Sequence, residues 1–161
     1  MPKHFSIRTL LIATFIVALF LALPIRRAVL QKKGREWVES QRGHISYQHP
    51  YDYKNKTHSV PYVPNAMISI LGIDLFNPIQ SVVLDCEELT SIAPLENLTT
   101  LEFLAINIYI SSDLDFSPLK KLPRLKEIHF TQWAGISREQ LKNLKAELPH
   151  VDVNSESHPD L

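Results

Sequence analysis

One pattern of spaced leucines occurs twice in the chain and restricts its fold more than any other feature. The segments APLENLTTLEFLAI (93–106) and SPLKKLPRLKEIHF (117–130) carry a proline and five apolar residues at matching positions. Related stretches, IQSVVL (79–84) and LKNLKAELPHVDV (141–153), extend the pattern in both directions. Because one such unit cannot bury its apolar side alone, we expect the units to stack on one another.

Each unit predicts one strand and one helix. Alternate apolar residues such as Leu104 and Ile106 predict a short strand whose apolar side chains enter a common core, with the strands stacked as a parallel ladder. The chain then returns through a predicted helix with Leu95 and Leu98 on its inner face. Ser117 followed by Pro118 is typical of a helix start, with serine as the N-cap and proline at the first helical position.

The repeat period suggests a family. Repeats beginning at 79, 101, 125 and 151 are 22, 24 and 26 residues apart, and with the pattern L-x-x-L-x-L the stretch 79–153 resembles leucine-rich-repeat proteins. The chain is most similar to short bacterial members with an N-terminal transmembrane anchor, in which an LG-D-F-like segment precedes the repeats. Gly72, Asp74 and Phe76 match that segment. The resemblance implies an α/β fold: a short solenoid with a parallel strand ladder on one face and helices on the other.

The chain departs from the family at one position of the repeat. The asparagine or cysteine that satisfies backbone groups in the turns of the family is replaced by Glu87, Tyr109 and Trp133. An asparagine ladder is therefore absent from the sequence, and the turns need another source of hydrogen bonds.

A 17-residue stretch without charge, Thr9 to Ile25, precedes the repeats. A helix of this length spans about 26 Å, enough to cross the hydrocarbon layer, so we predict a single-pass membrane protein that contacts lipid through 9–25. A cleaved signal peptide is an alternative, although Pro24 and the arginines after it occupy the place of a cleavage site. A buried core helix is a second alternative, but it would need a larger domain. The basic residues from Arg26 to Arg35 favour a cytoplasmic C-terminal domain, but Lys3, Arg8 and the initial amine on the other side leave both orientations open.

These patterns divide the chain into six segments. A strand, a proline-bearing loop and a short helix ended by Gly72 form the predicted N-terminal cap of the repeats. The segments are a basic flank (1–8), a transmembrane helix (9–25), a juxtamembrane helix (26–43), the cap (44–78), the leucine-rich-repeat domain (79–154) and a disordered tail (155–161).

Composition argues against several functional classes. With 17 basic and 17 acidic residues the formal net charge is zero, so we expect no nucleic-acid partner. The single cysteine, Cys86, excludes an intramolecular disulfide. We see no catalytic triad, phosphate loop or metal quartet and predict that the chain is not an enzyme and holds no cofactor. His44, His49 and His58 leave a metal-dependent activity open, although exposed loop histidines are the simpler interpretation.

The outward side chains of the strand ladder are the candidate site, since this face usually binds ligands in the family. The function that follows is a non-catalytic protein–protein interaction module at the membrane, with an unidentified protein partner. A structural subunit packed within a larger membrane assembly is the alternative. The candidate partner-binding residues are Val83, Asp85, Phe103, Ala105, Asn107, Glu127, His129 and Thr131.

Overall fold

The computed structural model describes residues 7–49, 51–52, 57–58, 60, 63–85 and 88–156. The protein is a mixed α/β structure, with one long apolar helix followed by a mostly parallel five-stranded sheet. Its helices are α1 (Ile7–Ser40), α2 (Asn65–Leu71) and α3 (Arg138–Glu147). Its strands are β1 (His44–Tyr47), β2 (Tyr51–Asp52), β3 (Thr57–His58), β4 (Ile79–Leu84), β5 (Glu88–Leu89), β6 (Phe103–Ile106), β7 (Tyr109–Ile110), β8 (Glu127–Phe130) and β9 (Asp152–Ser155).

The predicted membrane segment and juxtamembrane helix are one continuous helix, α1, which passes through Pro24. Its apolar N-terminal part is exposed, with Phe15 and Phe20 69% and 74% accessible. Among the described residues, α1 is the candidate membrane-spanning helix by length and hydropathy. Such a surface is unfavourable in water and suited to lipid.

The C-terminal part of α1 belongs to the folded domain. Val38 is completely buried, and the position of Gly34 lets the helix approach the turn at 93–97. The Gln31 side chain is buried as well: its Nε2 donates to the carbonyl of Asn77 at 2.9 Å, and its Oε1 accepts from the amide of Ile79 at 3.3 Å. The exposed and the buried parts of α1 therefore belong to one continuous helix.

A left-handed residue ends α1 before the predicted stop. Arg42 has φ 55°, the Gly43 amide donates to the Val38 carbonyl at 2.9 Å, and the Arg42 amide donates to Glu39 at 3.1 Å. These two bonds form a Schellman motif around Arg42. Gly43 is needed for a different reason, because a Cβ there would lie 2.8 Å from the carbonyl oxygen of Val83.

The main sheet has the order β1-β4-β6-β8-β9, in which β1 is antiparallel to β4 and the other neighbours are parallel. Val82, Leu104, Ile128 and Val153 pair across it and are buried, as the repeat pattern predicts. The last repeat is displaced: Asp152 pairs with Glu127, so Val151 lies beside Lys126 and not beside Leu125 as predicted. The last repeat therefore spans 25 residues, from Glu127 to Asp152, and not the 26 that the leucine spacing predicts.

The predicted return helices are short 3₁₀ turns at Ala93–Asn97 and Ser117–Lys121. The reason lies in the leucine spacing of three, since a 3₁₀ helix has three residues per turn. The amides of Leu98 and Leu101 donate to Leu95 and Leu98, and Leu119, Leu122 and Leu125 repeat this arrangement. In each turn, leucines three residues apart therefore point into the core from the same side.

The capping residues also differ from those predicted. Ser117 is the first residue of its turn, and its amide and hydroxyl both donate to the carboxylate of Asp115, at 2.8 and 2.7 Å. A serine does cap α3: Ser137 Oγ accepts from the amide of Gln140, and the Gln140 side chain accepts from the Ser137 amide. Leu144 on the buried side of α3 joins the core.

Two further boundaries differ from the sequence predictions. The predicted loop after β1 contains β2 and β3, which pair as an antiparallel ribbon. The predicted disordered tail begins inside β9, because Ser155 pairs with Phe130 and the Glu156 amide donates to the Phe130 carbonyl at 2.9 Å. Backbone pairing with β8 thus continues to Glu156. Residues 157–161 lie outside the described part.

Candidate functional site

The outer face of the sheet, opposite the buried leucines, carries two rows of side chains. Because strand residues alternate between the two faces, each row joins equivalent positions of successive strands. One row consists of Ser46, Ser81, Phe103, Glu127 and Asp152, and the other of His44, Val83, Ala105, His129 and Asn154. Five of the eight predicted site residues lie in these rows, and the remaining three directly follow the strands.

Ala105 does not present the accessible surface that the sequence predicts, since it is only 7% exposed. Its single methyl group lies between Val83 and His129 on strands about 4.8 Å away, and both larger side chains are half-buried. Phe103 in the neighbouring row is half-buried too. The centre of the face is therefore a shallow apolar surface, and the accessible groups lie around it.

The three other predicted residues, Asp85, Asn107 and Thr131, lie together at the carboxyl edge of the sheet. They follow β4, β6 and β8, and the amides of Asn107 and Thr131 donate to the carbonyls of Leu84 and Ile106. Thr131 Oγ1 is buried and makes no hydrogen bond within the described part of the chain. Asp85 is exposed.

Two aromatic residues at the same edge were missed as site candidates. Tyr109 and Trp133 are 59% and 71% exposed, and they occupy equivalent positions of successive repeats. The Tyr109 ring covers Gly135, where a Cβ would lie 3.0 Å from a ring carbon, and β7 contacts the turn at Gln132–Ala134. The sequence places large aromatic residues where leucine-rich-repeat proteins, which it resembles, carry asparagine or cysteine, but it does not show that both rings are exposed.

Polar and charged side chains pair at the amino end of the ladder and on its outer face. At the amino end, Glu102 accepts from Lys126 Nζ at 2.6 Å and from Gln80 Nε2 at 3.3 Å, and these hydrogen bonds lower the pKa of its carboxyl group. On the outer face, His129 Nε2 lies 3.4 Å from the carboxylate of Glu156. Glu127 and Asp152 are direct neighbours on β8 and β9, and these two carboxylates make this corner of the outer face acidic.

Within the part of the chain that the structure describes, the histidines and the paired aspartates form no reactive group. Among the described residues, no group of three histidine, cysteine or acidic side chains could hold a metal ion. The side chain of His58 lies outside the described residues, so the metal hypothesis stays a prediction. Asp115 has a structural partner, since hydrogen bonds from the hydroxyl and amide of Ser117 lower its carboxyl pKa. Such a carboxylate stabilises a turn and is poorly suited to accept a proton.

Comparison with known proteins adds no assignment. Scans of family models, of curated proteins and of solved structures find no match to this chain. The function therefore rests on the geometry of the sheet face, its carboxyl edge and α1.

Proposed function

We propose that this is a single-pass, membrane-anchored leucine-rich-repeat protein that binds a protein partner through the carboxyl edge and outer face of its sheet, without catalysis. The observation that carries the proposal is the pair of exposed aromatic side chains, Tyr109 and Trp133, beside this face. Tyrosine and tryptophan supply most of the binding energy in many interfaces, because they bury large areas with few rotatable bonds.

The repeat assignment is supported by strand register. β4, β6 and β8 pair in parallel at the spacing of the leucine pattern, and a second parallel pair, β5 and β7, follows them with Glu88 opposite Tyr109, one residue short of that spacing. Stacking of one supersecondary unit on the next is the organisation of a solenoid. The antiparallel β1 and the α1 segment around Val38 would then cap the first repeat.

The binding surface has an apolar centre with a polar rim. Phe103 and Val83 supply the half-buried centre, and Glu127, Asp85 and Asn107 supply acidic and amide groups around it. Interfaces of this composition favour a partner with complementary basic residues at the rim. We therefore expect the partner to present arginine or lysine opposite Glu127 and Asp152.

Photo-crosslinking in native membranes tests the proposal. A photoreactive amino acid replaces Trp133 or Glu127 in the full chain, and a matched control carries it at Lys142, an exposed position of α3 on the core side of the sheet. We expect Trp133 and Glu127 to crosslink one common protein that Lys142 does not reach. Glu127→Lys in the Trp133-labelled chain should weaken that crosslink severalfold. Equal crosslinking from all three positions would contradict a specific surface.

The assembly alternative has its own supporting observation. Within the described chain the apolar part of α1 is unburied, so a neighbouring membrane helix could pack against it. Replacing the side chains of 10–23 by leucines preserves a span while removing any specific helix packing. Loss of the Trp133 crosslink on this replacement would favour assembly through α1, whereas retention would favour binding through the sheet.

A further inference from the structure

Helix α2 exposes three large apolar side chains next to the place where α1 enters the folded domain. Met67, Ile70 and Leu71 are 44%, 80% and 53% exposed, and none of the seven residues of α2 is buried. Single exposed apolar residues are ordinary, but three on a helix of two turns form a patch that needs a partner.

The apolar surface of α2 continues that of the predicted membrane span. A cavity of about 660 Å³ separates the two helices; Ile25 and Val29 of α1 line one wall, and Ile70 and Leu71 of α2 line the other. Ile25 is the last residue of the uncharged stretch. A lipid that contacts the end of the span would therefore also reach α2.

The cavity shared by α1 and α2 begins at the end of the uncharged stretch and becomes basic further along α1. Its α1 residues run from Ile25 to Arg35, a rise of about 15 Å along the helix axis. The apolar ones, from Ile25 to Val29, cover about the first 6 Å, and Lys32 and Arg35 follow them. The headgroup region beyond the hydrocarbon core is about 5–8 Å thick on each side. Amphipathic helices bind at this depth with their apolar side about 5–10 Å into the boundary.

Basic side chains surround the same level. Arg27 and Arg124 line a second cavity of about 260 Å³, which adjoins the first because both are lined by Asp74 and Leu75. Lys32 lines the cavity shared with α2, and its ammonium group lies 3.8 Å from Glu36 with over half of the side chain exposed. Cationic groups at the membrane surface attract anionic headgroups. The apolar and then basic side chains follow one another along α1 in the order of acyl chains and headgroups in a bilayer, which favours a lipid over a protein as the ligand.

We propose that α2 is a second membrane contact and that an anionic phospholipid of the bilayer spanned by α1 occupies these two cavities. The acyl region contacts Ile25, Ile70 and Leu71, and the headgroup lies against Arg27, Lys32 and Arg124. The inference rests on the proposed membrane anchoring. It fixes the domain close to the membrane surface, since α2 and α1 then contact the bilayer at two separate points.

Depth-dependent quenching in reconstituted vesicles tests the proposal. Cys86→Ser removes the single native cysteine, and a fluorophore is then attached to cysteine at Ile70, Ala18 or Lys142 of the full chain. Quenching by spin-labelled lipids and by aqueous iodide is measured in phosphatidylcholine vesicles with and without phosphatidylglycerol. We expect lipid quenching at Ile70 to exceed that at Lys142 severalfold, to increase with phosphatidylglycerol, and to lose that increase in Arg27→Gln/Arg124→Gln.

Each other outcome overturns the inference in a recognisable way. If Ala18 is quenched by lipid while Ile70 is quenched by iodide, α1 is an anchor and α2 is not a membrane contact. If Ile70 is shielded from both quenchers, protein covers α2. If phosphatidylglycerol makes no difference, the bound lipid is not selected by charge. If Ala18 itself is reached by iodide, the membrane anchoring of the proposed function fails together with this inference.

Discussion

At the scale of single residues, Gly34 decides how closely α1 approaches the repeats. A Cβ at this position would lie 2.6 and 2.8 Å from Cδ2 and Cγ of Leu98, whose side chain is completely buried. From sequence alone Gly34 weakens the helix, because glycine costs about 1 kcal/mol relative to alanine. Gly34 stabilises the tertiary structure instead, because it lets α1 contact Leu98, more than 60 residues away in the chain.

Gly34→Ala should therefore destabilise the protein despite its higher helix propensity. Overpacking of a dense core costs about 1–3 kcal/mol, so we expect a net loss of about 1 kcal/mol in the free energy of unfolding. In a Leu98→Ala background the same substitution should be neutral or stabilising, because the methyl group then enters vacated space. Denaturant unfolding in detergent micelles, followed by fluorescence of the half-buried Trp37, measures both values. Equal effects in the two backgrounds would contradict the contact.

Tyr47 makes stability depend on pH at the alkaline end. Burial, followed by the negative charge of Asp74, raises its pKa to about 12 from the ordinary 10.0, while Arg35 opposes the shift. A folded-state pKa above the unfolded value contributes stability that is fully present below pH 10 and is lost as the pH rises towards 12.

The stability advantage of the wild type over Tyr47→Phe should accordingly fall between pH 10 and 12. After discounting for solvent screening at this half-exposed site, we expect a fall of about 1 kcal/mol. The same denaturant titration measures it, and absorbance at 295 nm identifies the ionisation that Tyr47→Phe removes. A constant difference across this pH range would show that the phenol is equally acidic in the folded and unfolded states.

At the scale of elements, α1 has an exposed apolar N-terminal part and a C-terminal part that packs on the folded domain. Truncation tests whether the domain needs only the second part. Residues up to Arg26 include no completely buried side chain among those described, whereas Gln31, Gly34 and Val38 contact the repeats. We expect a chain beginning at Arg27 to unfold cooperatively in water, because it keeps every core contact of the helix. A chain beginning at Gln41 should lose the cooperative transition, since Leu98 and the amide of Ile79 are then uncovered.

Circular dichroism during heating distinguishes the two truncated chains. Gln31→Leu in the longer chain is the matched control for the polar part of this contact. It leaves the Ile79 amide and Asn77 carbonyl unsatisfied, which should cost about 1–3 kcal/mol while the transition stays cooperative. Similar melting of both truncated chains would show that α1 is not part of the folded domain.

The element types show how far local pattern predicts structure. α3 carries its own capping box, Ser137 with Gln140, and forms a helix. The segments 93–97 and 117–121 carry a helix-compatible composition and proline near the start, yet they form 3₁₀ turns. Leucines spaced by three satisfy the core best in this conformation, and the next strand begins too soon for a longer helix. Core packing therefore overrides the propensity of these short segments.

At the scale of the whole molecule, the sheet joins the proposed binding surface to α1. β1 follows directly after α1 and pairs with β4, so the ladder starts at the end of the helix. Tyr109 and Trp133 lie on later repeats, away from the α1 contact at 93–97. A partner bound there would approach along the membrane surface if α2 also rests on lipid.

The sequence by itself predicted the apolar segment, the parallel ladder and the buried positions of β4, β6 and β8, because these depend on local periodicity and on repetition. It could not predict that Ala105 is covered, that Tyr109 and Trp133 are exposed, or that Gly34 and Gln31 join α1 to the repeats. These features depend on which distant residue lies opposite, and a one-dimensional pattern does not contain that information. Tertiary packing decided them, since the free energy of each side chain depends on the surface that covers it.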